Sequence, residues 1–292
     1  MKRLFCFAFV AAFVTLAGDP VHGQPKKDQP KPFTSSIGMK FVWVPPGNFM
    51  MGSPKDEYAR EDDETKHKVT LTKGFYMGVY TVTQEQWKEV MGSNPSNFKG
   101  EKNLPVENVS WDDCQEFIKK LREKDKKLYR LLTEAEWEYS CRAGTKTPFH
   151  FGDTISTDQA NYNGNYIYRD PEKKLNEEGA QGNDVPNLRA KDGDGMRGRN
   201  REKTTPVGSF PANAWGLHDM HGNILQWCQD WYGDYPEKDV VDPQGPEQGK
   251  FHVLRGGLWR DNIERFRSAS RHFGDPGRSN NRIGLRVCFS VE

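Results

Sequence analysis

Residues 150 to 205 show neither the 3.6-residue periodicity of an amphipathic helix nor the alternation of a strand, and Gly, Asn and Asp accumulate there. A run of this length without regular structure inside a compact domain is usually functional or held by a metal ion. Aromatic residues make up 12% of the chain. A core of large rings joined by irregular segments fits this composition better than a helical bundle does. Neither a repeat of fixed period nor an alternation of helices with strands is present, which excludes solenoids and doubly wound sheets. The sequence therefore predicts a single irregular α+β domain with little regular secondary structure.

Three helices are predicted from capping boxes, in which a Ser or Thr before the helix and a side chain three residues later bond to each other's backbone. The pairs are Thr83 with Gln86, Ser110 with Asp113, and Thr133 with Glu136. Glycines at positions 92 and 144 end the first and third helices. Strands are expected where short apolar or alternating runs lie between turn residues. They are a hairpin over residues 38–52 and strands near 69–72, 205–210, 226–230, 252–255, 266–270 and 285–289.

The N-terminus has the parts of a secretory signal peptide. Met1-Lys2-Arg3 is positive, residues 4–18 are apolar but short for a bilayer, and Val21-His22-Gly23 places small residues where signal peptidase cleaves. We expect residues 1–23 to be a signal peptide, 24–36 a disordered linker and 37–292 the domain. An uncleaved membrane anchor is the alternative. Cleavage predicts export to the periplasm or the exterior, with no membrane span afterwards.

Charge and cysteine content restrict the partners and the covalent bonds. Lys and Arg number 42 against 41 Asp and Glu, so no basic surplus points to nucleic acid. Four cysteines remain after cleavage: Cys114, Cys141, Cys228 and Cys288. They permit two disulfides in one of three connectivities. Cys114 and Cys141 fall on buried helix faces, where a small apolar filler is the other interpretation. Without a CxxC pair, a zinc ribbon or thioredoxin-like site is disfavoured.

Seven segments, several rich in Trp and Gly, follow one another along the chain. They are residues 41–53 (FVWVPPGNFMMGS), 80–87 (YTVTQEQW), 105–112 (PVENVSWD), 132–144 (LTEAEWEYSCRAG), 206–231 (PVGSFPANAWGLHDMHGNILQWCQDW), 255–259 (RGGLW) and 283–287 (IGLRV). Together they resemble the formylglycine-generating enzyme family, also called the sulfatase-modifying factor family, over essentially the whole domain. The resemblance implies a fold related to C-type lectin-like domains, held by calcium ions and often by disulfides.

The resemblance also implies where catalysis takes place in active members. They convert a cysteine of a client sulfatase into formylglycine, using oxygen and a copper ion held by two thiolates shortly after an Arg-Gly-Gly turn. Paired soft sulfurs suit monovalent copper. Here the turn is Arg255-Gly256-Gly257, and Leu258 stands where a Ser usually follows it. Residues 260–264 (RDNIE) contain no cysteine. That segment is also shorter than the thiol-bearing version. We therefore expect no catalytic cysteine and no bound copper.

The family's calcium ligands have counterparts in this chain. The resemblance implies a first site from Asn161 and the carbonyl of Tyr162, completed by Asp194 and the carbonyl of Met196, with Asp192 as a competitor. A second site would use backbone oxygens near His221 and Gly222, the Asn223 side chain, and Gln226 where a Glu is expected. Without the resemblance, residues 191–195 (KDGDG) have two interpretations. They offer hard oxygens on a sharp turn, which suits calcium, or they form a plain Asp-Gly turn with no metal. Gln supplies no charge, so we expect weak calcium binding or none at the second site.

Two functions follow from these observations. The first is a binding or accessory protein that holds a peptide or saccharide in a pocket lined by Trp215, Trp227, Trp231 and Trp259 beside Arg255. The second is an enzyme, either an active formylglycine-generating oxidase with a substitute metal site, for which Cys228 or Cys288 would be the suspected ligands, or a relative with different chemistry. A purely structural role is a third. Arg265, Arg267 and Arg271 are expected to alternate outward along a strand, in salt bridges with carboxylates such as Asp230 or against an anionic ligand.

Overall fold

Three short helices begin where the capping boxes predict. The computed structural model, which describes residues 30–166 and 198–290, has α1 at Gln84–Met91, α2 at Trp111–Asp125 and α3 at Glu134–Arg142. Both reciprocal hydrogen bonds of each capping box are formed. Gly92 is the C-cap residue of α1, as predicted, and Ala143 is the C-cap residue of α3, one residue before the predicted glycine. Local hydrogen bonding therefore determines where these helices start.

Twelve short strands form three sheets in the described part of the chain. The strands are β1 (Phe33–Thr34), β2 (Lys40–Val44), β3 (Gly47–Met51), β4 (His67–Leu71), β5 (Phe75–Gly78), β6 (Tyr129–Leu131), β7 (Leu225–Trp231), β8 (Val240–Val241), β9 (His252–Arg255), β10 (His272–Gly274), β11 (Ile283–Leu285) and β12 (Val287–Ser290). The sheet orders are β1-β2-β5-β12-β6, β10-β9-β7-β11 and β3-β4-β8. Short helices beside mixed sheets make an α+β fold, as the sequence predicts.

Three of the strand predictions were wrong. β2 and β3 do not form a hairpin, because β2 pairs with β1 and β5 whereas β3 pairs with β4. Pro45 and Pro46 lie between them, and proline cannot donate to a ladder. Residues 205–210 contain turns in place of a strand. Residues 266–270 begin at the end of a 3-10 helix, Ile263–Phe266, and the carbonyls of residues 268–270 are bonded to the buried Arg255 side chain instead of a neighbouring strand.

The fold begins earlier in the chain than residue 37. Phe33 belongs to β1, and its ring contacts those of Phe41 and Phe289 at centroid distances of 5.8 and 5.3 Å. The Tyr76 hydroxyl donates to the Lys31 carbonyl. Residues 31–36 are therefore part of the fold, which corrects the end of the predicted linker, because aromatic burial outweighs their polar composition. The predicted signal peptide lies outside the described residues.

The apolar residues form two large clusters and a small one. The first packs α1 and α2 against β7 and β12 and contains Cys114. The second packs α3 against β7 and contains Cys141, Cys228 and Cys288. All four cysteines are free and buried, so they fill the core and form neither of the two disulfides that the even count permits. No helix within residues 30–166 and 198–290 is long and apolar enough to cross a membrane.

Candidate functional site

The turn after β9 is built from two glycines in left-handed conformations. Gly256 has a φ of 99° and Gly257 a φ of 72°. A Cβ at position 257 would lie 2.4 Å from the Cβ of Phe266, so no other residue fits there. The Gly222 amide donates to the Gly256 carbonyl, and the Trp259 amide donates to the Asn223 carbonyl at 3.0 Å. The turn is therefore held in place from both sides.

Arg255, directly before this turn, is a fully buried structural hub. Its guanidinium donates to Glu138 Oε2 on α3 and to the carbonyls of Ser268, Ala269 and Ser270. Its carbon Cζ also lies 5.1 Å from the Trp137 ring centroid. Arg255 therefore fixes the loop after the 3-10 helix and has no exposed surface with which to contact a ligand.

Arg267 and Arg271 point inward, contrary to the predicted outward alternation. Arg267 donates to Glu57 and, through two nitrogens, to Glu64. Arg271 makes a paired bond with Glu134. The expectation of structural salt bridges is confirmed for both, although neither pairs with Asp230. Burial alone raises the pKa of the Glu134 carboxyl, but the charges of Arg271 and Arg255 outweigh it and the pKa is lowered.

Residues 260–264 occupy the place where the family's thiolates are expected. Ile263 is buried in the small apolar cluster with Phe149 and Phe266. Asp261 is half-buried, and its carbonyl accepts a bond from the Asn163 amide. Burial raises the pKa of Asp261 to about 6 against the opposing charges of Arg265, Arg282 and Arg260. The segment therefore contains two carboxyl groups, those of Asp261 and Glu264, and no sulfur.

The Cys141 thiol lies close to Ser268 and His221, but it cannot replace the missing thiolates. Its Sγ is 3.7 Å from both the Ser268 hydroxyl and His221 Nε2. Burial raises the pKa of Cys141 to about 12, so it remains a thiol. His221 is neutral as well, because burial holds its pKa well below the usual value.

The two cysteines suspected as substitute ligands are also buried. Burial raises the pKa of Cys228 well above its ordinary value, and it likewise raises the pKa of Cys288. Copper(I) binds deprotonated sulfur in pairs. The described residues therefore do not fit a copper ion.

The first calcium site has an observation in its favour. Asn161 is fully buried, and its Oδ1 has no hydrogen-bond partner although Nδ2 donates to the Lys203 carbonyl and to Asn223 Oδ1. An unsatisfied buried amide oxygen is costly, and a hard cation would satisfy it. Tyr162 is buried beside it. Asp192, Asp194 and Met196, expected to complete the site, lie outside the described residues.

The residues of the expected second calcium site are occupied by hydrogen bonds. Gln226 Oε1 accepts from Trp137 Nε1 and from the Arg286 guanidinium, so a positive charge already contacts this oxygen. Asn223 Oδ1 accepts from Asn161 Nδ2 and the Thr205 amide. His221 Nδ1 bonds the Phe266 carbonyl, and the Gly222 carbonyl accepts from the Ile224 amide. The two side-chain oxygens expected at this site, Gln226 Oε1 and Asn223 Oδ1, therefore each already accept at least two hydrogen bonds.

The tryptophans expected to line one pocket have separate surroundings. Trp227 is 1% exposed, and its Nε1 donates to the Val109 carbonyl. Trp215 is partly buried and packs edge-on against Tyr139. Trp231 stacks on His252 at 3.8 Å. Trp259 meets Phe98 at a right angle, and its Nε1 donates to the Asn281 carbonyl. Trp215, Trp231 and Trp259 are thus the rings that keep solvent-exposed surface.

Sequence reasoning missed the residues that surround Trp259. The Nε1 bond to Asn281 places the indole beside Arg282, and Phe98 approaches from the loop after α1. These residues are far apart in the chain and belong to no motif. Only the fold brings them to the turn.

Comparison with known proteins decides the family. The family described as "Sulfatase-modifying factor enzyme 1-like domain" matches residues 26–291. This chain is a member of the sulfatase-modifying factor family. The formylglycine-generating enzyme of Mus musculus is 27% identical, covering 85% of this chain and 74% of the enzyme. Among solved structures, PvdO from Pseudomonas aeruginosa superposes with a TM-score of 0.69 and 27% identity, covering 91% of this chain and all of that one.

Other members of the sulfatase-modifying factor family bear different names. A protein of Paenibacillus barcinonensis named chaperone protein LppX is 32% identical over 90% of both chains. A protein of Chlamydia caviae named serine/threonine-protein kinase pkn1 is 28% identical, covering 92% of this chain. This chain spans only 40% of that kinase-named relative. Family membership therefore establishes the fold and not a single activity.

Proposed function

We propose that this protein is an exported binding or accessory domain of the sulfatase-modifying factor family that does not generate formylglycine. The observation that carries the proposal is the segment after the Gly256-Gly257 turn, which has Asp261 and a buried Ile263 but no sulfur. No neighbouring group can replace a pair of thiolates as ligands of copper. Export is supported by the charged and apolar sequence at the N-terminus.

The ligand under this proposal is a peptide or a saccharide. Partly exposed aromatic rings supply stacking surface for either ligand, and Trp215, Trp231 and Trp259 are the candidates. The relative named a chaperone supports a binding role, because it covers nearly the same length as this chain. The Gly256-Gly257 turn, which this chain shares with the family, then serves as a rigid support for the binding surface. Arg255 and its three carbonyl partners hold it in place.

The test of the proposal is a peptide-oxidation assay on the purified protein. A peptide containing Cys-x-Pro-x-Arg is incubated with the protein, copper, a thiol reductant and oxygen, and its mass is measured. We expect the cysteine to return unchanged while an active family member converts it in parallel. Conversion to an aldehyde above the no-protein control would refute the proposal and favour the alternative oxidase with a substitute metal site, with Cys228 and Cys288 as the first ligands to substitute.

We also propose that one calcium ion binds at Asn161, which would supply the unsatisfied Oδ1 with a hard cation. Calcium at a hundredfold excess over its dissociation constant would stabilise the fold by about 2.7 kcal/mol. We expect the unfolding temperature to fall in EDTA and to recover with calcium but not with magnesium. Asn161→Ala should remove this response.

Asn213→Ala is the matched control for the calcium test. Asn213 is also buried, but its Nδ2 donates to the Ser140 carbonyl and its Oδ1 accepts from the Trp215 amide, so its side chain is satisfied. This variant should lose stability and keep the calcium response. An unfolding temperature that is the same in EDTA and in calcium would exclude the proposed ion.

A further inference from the structure

Arg260 and Arg282 beside Trp259, and Arg265 on the 3-10 helix, lack the ion-pair partners that the buried arginines have. Among the described residues, no carboxylate lies within ion-pair distance of the Arg260, Arg265 or Arg282 guanidinium. By contrast, Arg142, Arg255, Arg267 and Arg271 each bond a buried glutamate. Arg282 Nε is buried and makes no hydrogen bond. The three groups therefore retain donor capacity that the fold does not use.

The charges of these arginines all act on the Asp261 carboxyl group, and Arg265 acts on Glu61 as well. Arg265, Arg282 and Arg260 all act on Asp261, in that order of strength. Burial, and then the charge of Arg260, lower the pKa of Arg282, which indicates that like charges crowd together here. Arg265 also acts on Glu61, so the surplus lies at Arg260 and Arg282, two guanidinium charges against the one carboxylate of Asp261. Such a surplus on a partly desolvated surface attracts an anion.

The fold holds this cluster in place. The Arg282 carbonyl accepts from the Leu225 amide of β7, and its amide donates to Asn280 Oδ1. The Trp259 indole is fixed by its bond to the Asn281 carbonyl and keeps part of its surface in solvent. Planar guanidinium groups match the geometry of oxyanions, and an indole provides a flat apolar face for a sugar ring.

We propose that Arg260, Arg282 and Trp259 bind a saccharide that carries an oxyanion group, with the arginines on the anion and the indole against the sugar ring. The inference rests on the proposed binding function and identifies its ligand class. Asp261 sets the affinity, because its ionised carboxylate repels the anion and its protonated form does not.

Isothermal titration calorimetry with four sugars and one inorganic anion tests the ligand class. The probes are glucose 6-phosphate, glucose 6-sulfate, glucuronate and uncharged glucose, with inorganic phosphate as a fifth. We expect at least one anionic sugar to bind more tightly than both glucose and inorganic phosphate. Equal binding of glucose would refute the role of the arginines, equal binding of inorganic phosphate would refute the role of the ring, and no binding of any anionic sugar overturns the proposal.

Substitutions then locate the site. Arg260→Gln and Arg282→Gln should each weaken the anionic sugar about tenfold, the loss expected for one charge-assisted bond. Arg278→Gln is the control, because Arg278 is exposed and lies near Arg282 in sequence. Unlike Arg282, it already has an ion-pair partner, Asp275. Asp261→Asn should tighten binding at pH 7.5. If both arginine variants bind as the wild type does, or if Asp261→Asn weakens binding, the proposed site is wrong.

The pH dependence provides a second readout of the same site. Wild-type affinity should rise as the pH falls through about 6, where Asp261 becomes protonated while Arg260 and Arg282 stay charged. The Asp261→Asn variant should lose this rise. A rise retained by the variant would show that Asp261 does not set the affinity. The peptide-oxidation assay is independent of both experiments, so anion binding and the absence of oxidase activity can fail separately.

Discussion

Individual arginine and glutamate residues hold the frame of this site together from inside. Glu138 is fully buried and accepts bonds from Arg142 on its own helix and from Arg255 on β9. It also accepts from the Gly52 amide after β3. One carboxylate thus connects three elements of the fold. Removing a partner of such a buried pair leaves an uncompensated charge behind.

Glu138→Gln should therefore be strongly destabilising although its shape is conserved. The amide would leave Arg142 without its buried anion and Arg255 with only Glu134, at 3.5 Å, and we expect a loss of about 3–5 kcal/mol in the free energy of unfolding. Denaturant unfolding followed by tryptophan fluorescence measures it. Asp275→Asn is the control, because its pair with Arg278 is exposed, and it should change stability by less than about 0.5 kcal/mol. A loss below 1 kcal/mol for Glu138→Gln would show that the frame does not depend on this charge.

Stability should also depend on the protonation of His150. Burial lowers the pKa of this imidazole to about 4, below its ordinary value of 6.5. Between these values the unfolded chain binds more protons than the folded one, so this contribution to stability is lost as the pH falls from 6.5 towards 4, at up to about 1.4 kcal/mol per unit.

The His150 contribution is measured as a difference between two proteins, because the raised pKa of Asp261 acts in the opposite direction. Unfolding free energies of the wild type and of His150→Gln are compared from pH 7.5 to 5. The variant should have the smaller loss of stability on acidification. Parallel curves for the two proteins would mean that His150 is not buried in its neutral form.

At the scale of elements, the turn and the 3-10 helix depend on each other. The Gly256-Gly257 turn is left-handed, and Phe266 of the 3-10 helix packs directly against Gly257. Phe266 also belongs to the small apolar cluster with Ile263, Phe149 and Tyr162. A side chain on the turn would push this helix away from its cluster.

Gly257→Ala should cost more than a left-handed alanine alone. The backbone conformation costs about 1–2 kcal/mol, and the clash with Phe266 adds about 1–3 kcal/mol. Gly92→Ala is the matched control, since Gly92 has a φ of 81° but nothing within 4 Å of the added Cβ. Thermal unfolding of both variants gives the difference. If both lose the same stability, the close approach of Phe266 to the turn does not matter energetically.

At the scale of the whole molecule, the two large apolar clusters enclose every cysteine of the described residues. Cys114 lies in one cluster, and Cys141, Cys228 and Cys288 lie in the other. None is bonded to another, so the stability of the folded domain comes from packing and buried ion pairs. The many large rings of the sequence supply that packing.

The thiols should react only when the molecule unfolds. In the native protein without residues 1–23, a thiol reagent such as Ellman's should detect almost no reaction, and in denaturant it should detect all four cysteines. A reductant should leave the unfolding temperature unchanged. Fewer than four thiols in denaturant, together with a lower unfolding temperature after reduction, would reveal a disulfide that the structure lacks.

The sequence by itself determined the three helix starts, the α+β class and the family. A capping box acts within four residues, so it can be read directly from the chain, and seven ordered segments are enough to identify a family. The missing thiols after the Arg-Gly-Gly turn are equally a property of the sequence.

The tertiary structure alone decided which charges are paired. Arg267 meets Glu64 across 203 residues and Arg255 meets Glu138 across 117, and no local pattern distinguishes these arginines from the unpaired Arg260 and Arg282. The tertiary structure also decided that residues 267–271 point inward. Their bonds to buried carboxylates and to the Arg255 guanidinium outweigh the tendency of an alternating run to form a strand. Local hydrogen bonds can be read along a chain, whereas the partner of a buried charge is set by the packing of distant elements.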